Sequence, residues 1–410
     1  MKFPSMRWNT LAGVGSVSAL AGIGGSVVTV LLVVSMIWAL VMLALRRFPP
    51  RYQKSDWLIG GPALLFALTT VASALLAWTP GEAANRELFA HLVALLPFAL
   101  FTLVLPRLRT VEPSKIVDIF VIGCALCGIL ALPFALAQAF WVGMRAEGGA
   151  GNAIPFGMIC AFFGSLSLLN VGGEGRMREA LGWLGFLASA VCVLLSESRG
   201  VLPIPGIALV LFLALYPEQR ARFRNWKAVA VALVAASVIL IVAYDRLGRL
   251  WLLFTSIFGL VPGAQDQSLN LRVRMWEHAL QLIADSPWFG HGLQNRDALI
   301  AEIGMNYTHF HNGFLTALVD SGFIGLVAIV LLILAPIANV VANPAKVRWR
   351  TRFFVAIMIA VSCIFGGMTN FIFLHDIYDS VFLWSALIVA MPLAYADEES
   401  QQRSDGAHGT

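Results

Sequence analysis

From Leu11 to Leu45 the chain runs thirty-five residues without a charged side chain. As a single helix this run would measure about 52 Å at 1.5 Å per residue, against a hydrocarbon core of roughly 30 Å. Apolar runs of membrane-crossing length recur along the rest of the sequence, and each can satisfy its backbone polar groups internally as a helix. Hydrophobic residues make up 59% of the 410 and charged residues 12%, about half the charged share of an ordinary soluble domain. These features predict an all-α polytopic membrane protein.

Two helices within 9–45 are followed by expected spans at 56–78, 87–105, 115–142, 153–170, 178–197, 201–216, 227–244, 313–338, 352–370 and 377–395. The glycine cluster AGIGG at 21–25 divides the first run. A single tilted first helix would give eleven spans instead of twelve. The distribution of basic residues favours twelve. With a cytoplasmic N-terminus, one side then collects 20 of the 28 Lys and Arg residues, as cytoplasmic loops do. The chain reads as one membrane domain over 1–410, with a large periplasmic loop at 245–312 between the ninth and tenth spans. A polar cytoplasmic tail follows at 397–410.

The five cysteines all lie in apolar runs and read as small core residues, not as a disulfide framework. The formal charge of +5 follows from loop topology, and no nucleic-acid partner is expected. Eight basic residues remain on the outer side, all arginines: Arg86, Arg145, Arg199, Arg246, Arg249, Arg272, Arg274 and Arg296. Arginines held on the side that topology disfavours point to an anionic ligand.

The segment 269–295 reads as an amphipathic helix followed by a Pro-Gly turn. Helical spacing puts Arg272, Trp276, Leu280 and Ile283 on one apolar stripe, and Arg274, His278, Gln281 and Asp285 on the opposite one. Arg272 is thereby expected toward the membrane surface and Arg274 toward solvent; the plainer reading is that both snorkel from an interfacial helix. Arg199 stands in a short outer hairpin two residues from Glu197, so a structural ion pair competes with a ligand role. An arginine fork suits phosphate because it donates bidentate hydrogen bonds and keeps its charge. His309 and His311 precede the apolar run beginning at Gly313. An imidazole titrating near 6.5 suits general-base work. The competing HxH metal reading lacks a third ligand nearby in sequence.

Three groups of residues then resemble the O-antigen ligase family. His311-Asn312 with Gly322-Phe323-Ile324-Gly325 is similar to its His-Asn…Gly-x-x-Gly signature. Arg272-x-x-x-Trp276 followed by Pro287-x-x-Gly290-x-Gly292 is similar to its central outer loop, and Ser198-Arg199-Gly200 to its SRG element. The membrane plan resembles it over nearly the whole length. The resemblance implies an inverting, metal-independent glycosyltransferase of the integral-membrane GT-C type, without a cofactor. The donor would be a glycan on undecaprenyl diphosphate and the acceptor lipid A–core, at the periplasmic face of a Gram-negative inner membrane. His311 is the expected general base, and Arg199 and Arg272 the diphosphate clamp. Arg274, His309, Asn312 and Trp276 are expected in substrate contact or orientation. An O-antigen polymerase is the nearest rival. A transporter or flippase is a rival of a different class, and would need ionisable or broken-helix sites near the midplane.

Overall fold

The computed structural model describes residues 6–45, 54–78, 82–103, 113–173, 175–223, 267–342 and 348–390. The span expected at 227–244, Arg246, Arg249 and the tail at 397–410 lie outside these. Among the described residues the regular structure is entirely helical. The first apolar run forms α1 (Met6–Leu20) and α2 (Gly25–Ala44). The chain turns between them at the glycine cluster, where the Ile23 and Gly24 N–H groups both donate to Leu20 O.

Next come α3 (Trp57–Leu76), α4 (Glu82–Leu100) and α5 (Pro113–Leu136), the last prolonged by a π-helical turn at Ala137–Val142. They are followed by α6 (Ala153–Ser167), α7 (Arg176–Leu195), α8 (Pro203–Leu215) and α9 (Pro217–Phe223). The segment expected on the outer side contributes α10 (Gln267–Asp285) and α11 (Arg296–Ala301). The chain then runs through α12 (Gly313–Ala342), α13 (Trp349–Gly367) and α14 (376–390).

Seven of the described helices are long and apolar enough to cross a membrane: α2, α3, α5 with its π turn, α6 with the 3-10 turn that carries it to Asn170, α7, α12 and α13. The described residues thus support a polytopic helical membrane protein, with seven of the twelve spans expected. Of the other five, 227–244 and the end of 377–395 lie outside the described residues, while α1 has 15 residues, α8 has 13, and the apolar part of α4 is confined to Leu88–Leu100.

The helices pack in two groups. One joins α1, α5, α6 and α7, the other α3, α4, α12 and α13, and α6 meets α13 between them. The α5–α7 contact depends on small residues, since a Cβ on Gly185 would stand 2.6 Å from Ala125 Cα. Lipid offers no hydrophobic drive for association, so backbones that approach closely gain their stability from dispersion. All five cysteines are buried in this interior as free thiols.

At one end of the molecule Asp118, near the start of α5, accepts hydrogen bonds from both Arg178 and Arg348. Arg352, only 2% exposed, donates through Nε to Val389 O at 2.9 Å and faces Asn339 Oδ1 at 3.3 Å. From there α5 runs 24 residues, about 36 Å, to the opposite end. The outer segment sits at that end on its own apolar cluster of Met275, Ala279, Leu282, Ile283, Ile300, Met305, Phe310 and Val319.

That cluster corrects the expected register of α10. The buried stripe runs through Met275, Ala279, Leu282 and Ile283, while Leu280 is 58% exposed. His278, expected on the solvent stripe, turns inward to hydrogen-bond Leu299 O at 2.9 Å. The helix packs against α11 and the start of α12, and that contact sets its rotation.

Candidate active site

Two of the sequence motifs prove to be halves of one joint. Helix α12 breaks at Gly322, whose backbone angles are φ 62° and ψ −163°. This region is open essentially to glycine alone, and a Cβ there would stand 2.3 Å from the Trp288 backbone. The 287–292 turn inserts at the break. His291 N donates to Val319 O at 2.7 Å and Gly292 N to Asp320 O at 2.9 Å, while Phe323 N donates to Pro287 O at 2.8 Å. The carbonyls freed by the break are thereby satisfied by the turn.

A buried ion pair fixes the next segment. Arg296 is 5% and Asp320 3% exposed. The guanidinium holds both carboxylate oxygens, and Nη1 donates to Thr308 O at 3.2 Å. Arg296 therefore serves the scaffold, contrary to the expectation that the outer arginines await an anion. Trp276 adds a second tie, donating from Nε1 to Phe310 O at 3.0 Å. Asn312 caps α12, its Oδ1 accepting from Phe314 N at 3.0 Å and Leu315 N at 3.2 Å.

Between these ties lies His311, with φ 50° in the left-handed region that side chains with a Cβ rarely adopt. Its Nδ1 is buried and makes no hydrogen bond. The ring packs 4.3 Å from His309 and 5.1 Å from Tyr307, centroid to centroid. Burial, and secondarily the nearby Arg272 cation, lower His311 to about 4. His309 lies deeper, 8% exposed and packed against Phe371 with ring centroids 4.0 Å apart. Burial first, then the His311 and Arg296 charges, bring it down to about 3. Both rings are neutral at physiological pH, and His311 has a ring nitrogen able to accept a proton.

Beside this loop is a cavity of about 380 Å³ lined by Arg145, Glu197, Ser198, Arg199, Arg272 and Thr369 among others. The structure therefore brings Arg199 and Arg272 together from segments more than seventy residues apart. Ser198 Oγ anchors the hairpin to Ala153 O at 2.9 Å, and Arg145 Nε donates to Ser196 O at 2.9 Å. Arg274 is exposed and does not line the cavity. Arg145 and Thr369 belong to it although no motif marked them; the one available signal was Arg145's place among the outer arginines. The lining can neutralise a substantial negative charge beside an imidazole that can take a proton.

Residues 184–330 match the model of a family described as O-Antigen ligase. The resemblance to the O-antigen ligase family is therefore shown over that stretch, about a third of the chain. The family segment contains Arg199, Arg272, His311 and the Gly322 joint. A protein of Pseudomonas aeruginosa named O-antigen ligase is 27% identical over 214 residues, covering 50% of this chain and 51% of its own length. An uncharacterized protein of Haemophilus influenzae is 34% identical over 88 residues, 19% of this chain and 22% of its own length. The chain thus spans about a fifth and about half of the two curated relatives.

Proposed function

We propose that the chain is an O-antigen ligase, transferring glycan from a polyprenyl diphosphate carrier to a sugar hydroxyl of lipid A–core outside the inner membrane. The observation that carries this reading is the meeting of Arg199 and Arg272 in one cavity, with His311 close enough to Arg272 to feel its charge. Nucleotide sugars are absent outside the cytoplasm, so a donor there must arrive on lipid, its diphosphate level with the membrane surface. His311 takes the proton from the acceptor hydroxyl as that oxygen bonds to the anomeric carbon. The bond from that carbon to the diphosphate breaks in the same step, inverting the centre. Arg199 and Arg272 hold the charge that develops on the leaving diphosphate, as preorganised donors do in a water-poor site. The reading requires no metal.

His309 and Trp276 act behind this pair, one packing the His311 ring and the other tethering the Phe310 carbonyl just before it. Arg274 is left to contact the glycan at the cavity's outer side.

The test is the lipopolysaccharide of a deletion strain carrying plasmid copies of the gene. The wild-type copy should restore long chains on lipid A–core. His311→Ala should leave bare core and accumulated carrier-linked chains while inserting normally. A single repeat still joined to the core in the deletion strain would establish a polymerase. Near-normal transfer by purified His311→Ala would remove the base assignment.

A further inference from the structure

Among the described residues that line it, the cavity has one acid among its cations. Glu197 lines it together with Arg145, Arg199 and Arg272, so these contribute three guanidinium groups against one carboxylate, a surplus of two positive charges. Glu197 occupies this place on unfavourable backbone, at φ 53°. Glycine would adopt that conformation without strain, whereas a residue with a Cβ is strained there. A charged side chain kept on strained backbone, inside a cavity of opposite sign, points to a task for the charge.

The chemistry of the reaction supplies the task, on the reading of this cavity as the diphosphate site. A glycan-linked diphosphate is a diester with two ionised oxygens. Cleavage at the anomeric carbon leaves a terminal phosphate whose further ionisation falls near 6, so the spent carrier approaches three negative charges at neutral pH. Any surplus of positive charge holds the product more tightly than the donor, and the preference grows with the surplus. An uncompensated third cation would therefore slow each turnover further at release.

We infer that Glu197 is a release residue, its carboxylate lowering the cavity's surplus charge so that the donor diester is held while the grip on the spent diphosphate monoester is loosened. In its absence the spent carrier becomes a strong inhibitor.

The experiment uses full-length protein in lipid nanodiscs and two probes: farnesyl diphosphate, and the same molecule methylated on its terminal phosphate. Glu197→Gln removes the charge. Glu197→Gly removes it on a residue suited to the left-handed backbone, so that at least one neutral variant folds. Both should bind farnesyl diphosphate about tenfold tighter than wild type, as expected for one repulsive charge removed at close range, with a smaller gain for the less charged methyl ester. Glu197→Asp should keep the wild-type ratio between probes. An unchanged ratio in both neutral variants overturns the inference while leaving the diphosphate site intact. So does equal weakening of both probes with a lowered unfolding temperature, which would assign Glu197 a structural ion pair. Indifference of both probes to Arg199→Ala and Arg272→Ala overturns the inference together with the site reading.

Discussion

An imidazole held at about 4 is a weak base but is almost wholly in its basic form at neutral pH. The acid limb of kcat/KM, which reports the free enzyme, should therefore lie near 4 and not near the ordinary 6.5: activity persists above it and falls as His311 protonates below it. Arg272→Ala removes the secondary cause of the depression and should move that limb upward, while burial keeps it below 6.5. The same variant should weaken donor binding, and unchanged donor affinity and turnover would remove the clamp role. His311→Ala should cost about 10² to 10⁴ in kcat, the usual worth of general-base assistance, measured with purified donor and acceptor. Folding follows the same sign. The buried neutral rings of His309 and His311 contribute stability in full above the unfolded value near 6.5, and it is lost as pH falls toward their folded values of about 3 and 4.

At the level of elements, the outer segment and α12 are locked through the Gly322 joint and the Arg296–Asp320 pair. Asp320→Asn would leave a buried guanidinium without its counter-charge, and breaking such pairs typically costs about 3–5 kcal/mol. A thermal unfolding scan should show a large drop, with transfer lost because the Thr308 tether loosens. Gly322→Ala should be as damaging, since the added carbon meets the Trp288 backbone at 2.3 Å. Wild-type activity in that variant would show that the joint can open. The joint also explains what the sequence could and could not disclose. The order of the His-Asn, Gly-x-x-Gly and Pro-x-x-Gly-x-Gly groups was readable, because glycine needs leave fixed spacings. Their mutual packing was not, because it depends on where two segments meet in space. Arg296 passed for a ligand-binding cation because its partner, Asp320, stands twenty-four residues on inside an apolar run. The register of α10 was missed because packing against α11 and α12 rotates the helix away from the stripe suggested by its own pattern.

At the scale of the whole molecule, the long apolar runs and the glycine break between α1 and α2 were legible from length alone. The tie of Asp118 to Arg178 and Arg348 was not, because its members come from the starts of three helices far apart in sequence. That tie and the cavity mark opposite ends of α5, which should face opposite sides of the membrane. The buried cysteines make this testable. The native protein should be silent toward a membrane-impermeant maleimide, so one introduced thiol can report alone. Asp297→Cys, on the outer segment, should react in cells whose outer membrane alone is permeabilised. Met177→Cys, 85% exposed beside Arg178, should react only after the inner membrane is opened. Labelling of both under the first condition would refute the orientation. A core packed with thiols that reagents cannot reach leaves the chain ready for site-by-site mapping, with no cysteine-free background to build first.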